Sequence, residues 1–307
     1  MHNFSKSNCS SYVRGSVHSS SIKWGVVVPK LLKPDQISML RTDGYVAPIP
    51  VFSKKEATGF RRSLENFEQS MTDESREETM ATLSKFKPHL LFTWLDKICH
   101  NETLLNAIED LIGPDLLIYS SAFFIKNSND QAYVPWHQDS IYADFKGGKQ
   151  IRAWVAFTDS NTTNGCMRVI KGSHKKQFKH IDDPTDANNI LFRKEKISES
   201  VDEGLAADLI LKPGEMSVHD YGVIHGSEPN SSNDRRIGFA IAFVTPDTVA
   251  TGRHETAMLA RGYASERDWE LEPRPVVDRD NNAQLAHARA MKIRGGHFYN
   301  TAGAAAE

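Results

Sequence analysis

Residues 218–244 read VHDYGVIHGSEPNSSNDRRIGFAIAFV. Two runs rich in β-forming residues flank a Glu-Pro-Asn-Ser-Ser-Asn-Asp segment of strong turn formers, which predicts a hairpin with a loop of medium length. Side chains alternate faces along a strand, so parity sorts the second run. Ile237, Phe239, Ile241 and Phe243 share a bulky apolar face that suits packed core. Arg236, Gly238, Ala240 and Ala242 share the other, where an arginine followed by small residues leaves room for something bound. His225 ends the first run and Arg236 opens the second, which makes them neighbours across the turn. A buried arginine needs an anion to offset its desolvation, and its planar fork suits a carboxylate. A ligand could supply that carboxylate, with Ser227, on the face of His225, as a second donor.

Working outward, the chain from about residue 115 is a series of short β-rich runs divided by Gly, Pro, Asn and Asp: DLLIYSSAFFIK, QIRAWVAFTD, MRVIKGS and LILKPGEMSVHDYGVIHGS. Helical patterns precede them. One starts at Pro34-Asp35 and stops at Gly44; the next has Ser53 as a cap with Glu56 three residues on; a third stretch covers 74–113 and ends at Gly113-Pro114. NNAQLAHARAMKIR, residues 281–294, predicts a closing helix. The fold class is therefore mainly β with flanking helices, a sandwich or jelly roll. No repeat or linker divides it, so residues 35–295 are expected to form one domain. The Ser-rich, acid-free residues 1–34 read as a disordered extension and 296–307 as a flexible tail.

VPWHQDSIY, residues 134–142, sets His137 and Asp139 on one face of an extended segment. With His225 from another strand they make two imidazoles and a carboxylate, the facial set of non-haem Fe(II) oxygenases; zinc accepts similar ligands. His219 has the parity of His225 but lies six residues back, about 20 Å along a straight strand. It reads as a core or supporting histidine. Arg152 shares a face with Trp154 and reads as an inward arginine at the substrate or as an ion pair with one of the chain's 39 acids. Lys126 reads as a contact at the pocket mouth or a solvated lysine, His180 as a substrate contact or a surface position, and Cys166 as a small core residue.

The 307 residues carry a net charge of −2, with no electrostatic pull toward nucleic acid or anionic membrane. No apolar run approaches the ~18 residues that cross a bilayer. Three distant cysteines, Cys9, Cys99 and Cys166, without a C-x-x-C, fit a reducing compartment rather than a disulfide framework. The cytoplasm is the expected location, with organelle targeting by residues 1–34 as the alternative; the expected partner is a small molecule, not nucleic acid or a membrane.

The chain resembles the phytanoyl-CoA dioxygenase family of Fe(II)/2-oxoglutarate oxygenases. The matching stretches, in the family's order, are PWHQD, RAWVAFTDSNTTNGCMRVIKGSHK, LKPGEMSVH and HGSEPNSSNDRRIGFA, with GYVAPIPVFSKKEA before them and MLARGYASERDWELEPRP after. The resemblance implies a double-stranded β-helix (jelly roll, cupin-like) and Fe(II), 2-oxoglutarate and O2 as cofactor and cosubstrates. It implies iron on His137, Asp139 and His225, the distal carboxylate of 2-oxoglutarate on Arg236 and Ser227, and Trp154 lining the cosubstrate pocket. Related halogenases carry Gly or Ala where Asp139 stands, so it implies hydroxylation, with succinate and CO2 released. NGCMRVIKGSHK and PGEMSVH are similar to a bacterial branch that includes hydroxylases of aminoalkylphosphonates, which implies a small anionic or zwitterionic substrate. A redox-inert metal-dependent hydrolase or isomerase on the same fold is the competing reading.

Overall fold

Every residue of Arg236–Val244 is buried, and the alternation of its side chains decides what lies on either side of it. The computed structural model describes residues 29–71, 85–142, 144–251, 254–265 and 269–303, with side chains through 294. Its strands in chain order are β1 (Tyr45–Pro50), β2 (Leu116–Lys126), β3 (Val134–His137), β4 (Phe145–Lys146), β5 (Gln150–Ala156), β6 (Arg168–Ile170), β7 (His180–Asp182), β8 (Glu195–Ile197), β9 (Ala206–Asp208), β10 (Glu215–Asp220), β11 (His225–Ser227), β12 (Arg236–Val244), β13 (Val249–Ala250), β14 (Glu255–Arg261) and β15 (Trp269–Leu271). A large sheet runs β1-β10-β5-β12-β2-β14-β15 and a smaller one β3-β11-β6-β9. Pairing is antiparallel throughout, save for the short parallel edge of β14 and β15.

One face of the large sheet carries Ile237, Phe239, Ile241 and Phe243 with Ile151, Ala153, Val155, Met216 and Val218. Helices cover it. They are α1 (Pro34–Asp43), α2 (Lys54–Gln69), α3 (Thr93–Cys99), α4 (Glu102–Ile112) and α5 (Asn281–Gly303). Leu64 of α2, Leu95 and Ile98 of α3, and Leu104 and Ile108 of α4 interdigitate with the sheet. Each such side chain contributes about 1.5–3 kcal/mol by leaving water. Gly44, at φ 86, stops α1 by donating its N–H to Leu40 O, and Ser53 and Glu56 close a reciprocal cap on α2. Among the described residues no helix is long and apolar enough to cross a membrane.

The other face of the large sheet turns toward the small sheet, giving the expected jelly roll. The expected hairpin is absent. β10 and β12 both flank β5 in the large sheet, whereas β11 lies in the small one between β3 and β6. The connections 221–224 and 228–235 are thus corners between sheets. Asn230 builds the second corner: its Nδ2 donates to the carbonyls of Asn127 and Asp234, and its Oδ1 accepts from Ser232 N–H. Turn-forming residues serve a change of sheet here, because their side chains tie the corner to the end of β2. Single-strand alternation carries no information on which sheet a run joins.

The domain also begins earlier than residue 35. The N–H groups of Lys30, Leu31 and Leu32 converge on the Asp110 carboxylate, and Leu32 enters the core. Residues 1–28 and 304–307, and so most of the expected disordered extension and the end of the expected tail, lie outside the described residues, as do 72–84, which take in the start of the expected helical stretch. Helical backbone continues through Gly303.

Between the sheets, Trp154 of β5 lies flat over Gly238 of β12. A Cβ at 238 would stand 1.7 Å from Trp154 Cζ2, so only glycine lets the indole take this place. Gly238→Ala is expected to destabilise the fold by about 1–3 kcal/mol through overpacking. At about 2–4 °C per kcal/mol this is visible in thermal unfolding; a Tm shift under about 1 °C would contradict the contact.

Candidate metal centre

His137 ends β3, Gln138 stays extended, and Asp139 opens a short 3-10 turn, so the ligand pair keeps the alternation read from the sequence. His225 is the direct cross-strand partner of His137 on β11. Their ring centroids lie 4.1 Å apart. One donor atom from each of His137, Asp139 and His225 falls within 4.8 Å of the others, and all three residues are buried.

The tautomers are set from behind. His137 Nδ1 donates to Pro135 O at 3.0 Å and His225 Nδ1 to Val223 O at 3.1 Å, which leaves both Nε2 lone pairs facing Asp139. The Nε2 atoms lie 3.8 and 3.9 Å from the Asp139 oxygens. Burial pushes His137 down to about 4 and His225 well below the usual imidazole range, so both are neutral donors at neutral pH. Burial alone would raise the Asp139 carboxyl, but the Arg152 charge holds it far below its ordinary value. Neither Asp139 oxygen receives an aligned hydrogen bond among the described residues. Two neutral imidazole donors and an ionised, unsatisfied carboxylate on one side of a cavity fit a divalent cation, by the chemistry of the donor set.

Arg152 Nε lies 2.8 Å from Asp139 Oδ2, and its guanidinium sits 5.6 Å from the Tyr221 ring. It is both of the things the sequence allowed, an inward arginine and an ion pair, and the acid is the ligand itself. His219 Nε2 is 3.4 Å from the same oxygen, with its ring 4.5 Å from that of His225. The 20 Å expectation assumed a straight strand; the corner at 221–224 carries β11 into the small sheet and brings the His225 ring back to that of His219. His219 nevertheless stands behind the carboxylate and outside the ligand set.

From the triad a cavity, partly open to solvent, runs between the sheets. His137, His225 and Arg152 border one end, Trp154 the wall, and Ser227 and Arg236 the other end. Arg236 is 2% exposed, and among the described residues no carboxylate pairs with it. Desolvation pushes its pKa down to about 10. Its Cζ rests 5.2 Å from the Trp154 ring centroid. Arg235, one residue earlier, points the opposite way into a bidentate ion pair with Glu68 of α2.

Lys126 is neither solvated nor at the cavity mouth. It is fully buried beside Arg236, its register partner, and Nζ donates to Ser227 Oγ at 2.7 Å, to Ser227 O and to Glu228 O. His180 is absent from the cavity. Its Nε2 accepts Gln138 N–H at 3.0 Å, which braces the backbone between the ligands, and its Nδ1 donates to Phe178 O. Cys166 is buried, with its thiol raised to about 11 by burial.

Two residues escaped the sequence reading. Gln138 donates to Lys176 O and Gly222 O and accepts from Phe178 N–H, fixing the turn that carries Asp139. A buried amide between two ligand positions is the signal that could have found it. Tyr221, buried beside Arg152, sits in a corner where no periodicity applies.

Alanine at His137, Asp139 or His225 is expected to remove metal binding in an anaerobic Fe(II) titration. His219→Ala is expected to keep it with a loss of about 10–100-fold, as for a group that supports a ligand. Undiminished affinity in His225→Ala would remove the site assignment.

Residues 40–238, more than half of the chain, match the profile of the family described as Phytanoyl-CoA dioxygenase (PhyH). A solved structure described as a non-heme monooxygenase, ThoJ in its apo form, is 30% identical with a TM-score of 0.77, over 88% of this chain and 99% of that one. A phytanoyl-CoA dioxygenase domain-containing protein 1 homolog of Dictyostelium discoideum is 31% identical over 46% of this chain and 52% of its own length. A probable alpha-ketoglutarate-dependent hypophosphite dioxygenase of Stutzerimonas stutzeri is 27% identical over 52% of this chain and 57% of its own. The chain thus spans little more than half the length of these two curated relatives. The family match runs through both sheets and takes in His137, Asp139, His225 and Arg236, and on it the chain belongs to the phytanoyl-CoA dioxygenase family of Fe(II)- and 2-oxoglutarate-dependent dioxygenases.

Proposed function

We propose that this protein hydroxylates a small anionic or zwitterionic organic substrate, using Fe(II), O2 and 2-oxoglutarate, with release of succinate and CO2. The observation that carries the reading is the pairing of the two cavity ends: a buried three-ligand set at one, and at the other a buried arginine that no carboxylate among the described residues pairs with. A 2-oxo diacid carries a metal-chelating group and a distal carboxylate that would suit the two ends. His137, Asp139 and His225 would hold the iron, while Arg236 and Ser227 would take the distal carboxylate. When bound, iron and 2-oxoglutarate together supply the oxidising chemistry, one oxygen atom going to succinate and one to the substrate.

The chain's own residues position and shield. Trp154, Phe124, Val134 and Met167 line the cavity with apolar surface that keeps water from the charged ends. Arg152 borders the cavity at the metal end, where guanidinium N–H groups beyond the one facing Asp139 offer donors to a negatively charged substrate. The relative named for hypophosphite supports the same class. Asp139 supports hydroxylation over halogenation, since its charge fills a ligand position and repels an added anion. A redox-inert hydrolase leaves Arg236 without a role.

The test is succinate release by the iron-loaded protein against a panel of small phosphonates, carboxylates and betaines. Release is expected to require both O2 and 2-oxoglutarate and to rise with the true substrate; metal-dependent turnover without either would favour the hydrolase. Arg236→Ala is expected to raise KM for 2-oxoglutarate about ten- to a hundredfold, the worth of a charge-assisted hydrogen bond. Arg235→Ala should leave that KM near wild type and lower Tm instead, because its partner is Glu68. The reverse order would overturn the parity assignment.

A further inference from the structure

We infer that Lys126 is the positioning residue of the carboxylate end, acting through Ser227 to make the pocket select a 2-oxo diacid over a 2-oxo monoacid. The inference rests on the cosubstrate reading above and concerns a residue that does not itself border the cavity. Lys126 has no exposed surface, although lysine is among the residue types least often fully buried. It stands opposite Arg236 in the β2–β12 register, so two cations share one end of the roll. No ion pair joins either to an acid among the described residues, and a buried like-charged pair persists only where an anion is supplied.

The hydrogen bonds say how Lys126 reaches that anion. An ammonium has three N–H donors and no lone pair, and Lys126 Nζ finds three acceptors: Ser227 Oγ, Ser227 O and Glu228 O. Ser227 Oγ therefore accepts from the lysine, and its own proton must point elsewhere. Ser227 borders the cavity beside Arg236, which makes a ligand carboxylate there the acceptor for it. Lys126 thus fixes the direction of the serine hydroxyl and places a positive charge one atom behind it. Burial, and next the Arg236 charge, push Lys126 down to about 6, so the ammonium form with its three donors is the one that an anion bound at this end selects at neutral pH. Its two backbone acceptors also tie the end of β2 to the start of the corner after β11, holding Ser227 in register.

The experiment measures anaerobic Kd values by calorimetry on the Fe(II)-loaded full chain for 2-oxoglutarate and for 2-oxopentanoate, which lacks only the distal carboxylate. Lys126→Met, which keeps the length and loses the donors, is expected to weaken 2-oxoglutarate about ten- to a hundredfold. The same variant should bind 2-oxopentanoate and Fe(II) as wild type does. Ser227→Ala should show the same selective loss, and the double variant should be little worse than either single one, since both remove one path. Equal weakening of both acids, an unchanged 2-oxoglutarate Kd, or multiplying losses in the double variant would overturn the inference. If Lys126→Met fails to fold, Lys126→Arg and Ser227→Ala carry the test, and unaltered diacid preference in both would overturn it. Wild-type protein that does not prefer 2-oxoglutarate to 2-oxopentanoate would refute the cosubstrate reading itself, which separates the two failures.

Discussion

Asp139 has no exposed surface, and a carboxylate so placed stays ionised only because cationic and polar neighbours surround it. Those neighbours come from four strands. Arg152 arrives on β5, His219 on β10, His225 on β11 and His137 on β3. Two of these strands belong to the large sheet and two to the small one, so the charge is compensated only when both sheets have closed on each other. The dependence runs the other way as well. Gln138, next to Asp139, holds the carbonyls of Lys176 and Gly222 and so ties the corner after β10 to the ligand turn. An unpaired buried polar group costs about 1–3 kcal/mol, more if charged, which makes the ligand site a structural joint before any metal arrives.

The cavity has two charged ends of different construction. At the metal end, anion and cations are balanced within the protein, with Asp139 facing Arg152 and two neutral imidazoles. At the far end neither Arg236 nor Lys126 forms an ion pair among the described residues. Between them lie Trp154 and small or apolar walls, with Gly238 cut back so that the indole can lie against β12. A ligand suited to both ends is short, dianionic and apolar in its middle. A 2-oxo diacid, the cosubstrate proposed above, has those features.

Much of this was legible in residues 218–244, because alternation is a local property. The faces assigned to Ile237, Phe239, Ile241 and Phe243, and to Arg236, are those the protein uses. The same parity separated Arg236 from Arg235 and put Arg152 and Trp154 on the cavity side of β5. Sheet membership was not legible. Whether a turn reverses a strand within one sheet or carries it to the other depends on what its side chains meet, and for Asn230 those partners are over a hundred residues back, on Lys126 and Asn127. His219 was misplaced for the same reason. Lys126 was misread because burial of a lysine depends on acceptors from another strand, here the Ser227 and Glu228 carbonyls.

The corner at 228–235 is held from both sides, and this bears on how the ligand is measured. From inside, Lys126 and Asn230 bind its backbone. From outside, α2 grips its end through Arg61 on Asp234 and Glu68 on Arg235. Exposed ion pairs such as Arg61–Asp234 contribute little stability singly, but two bidentate forks on consecutive residues restrict the start of β12 in both position and twist. Arg236 follows immediately, on the opposite face. Its guanidinium is thereby set at a fixed reach from His225, which the same corner connects to it. Preorganisation of this kind lowers the ordering cost of binding, and it makes chain length a criterion. A diacid one methylene too short or too long would have to leave either the arginine or the metal ligands unsatisfied.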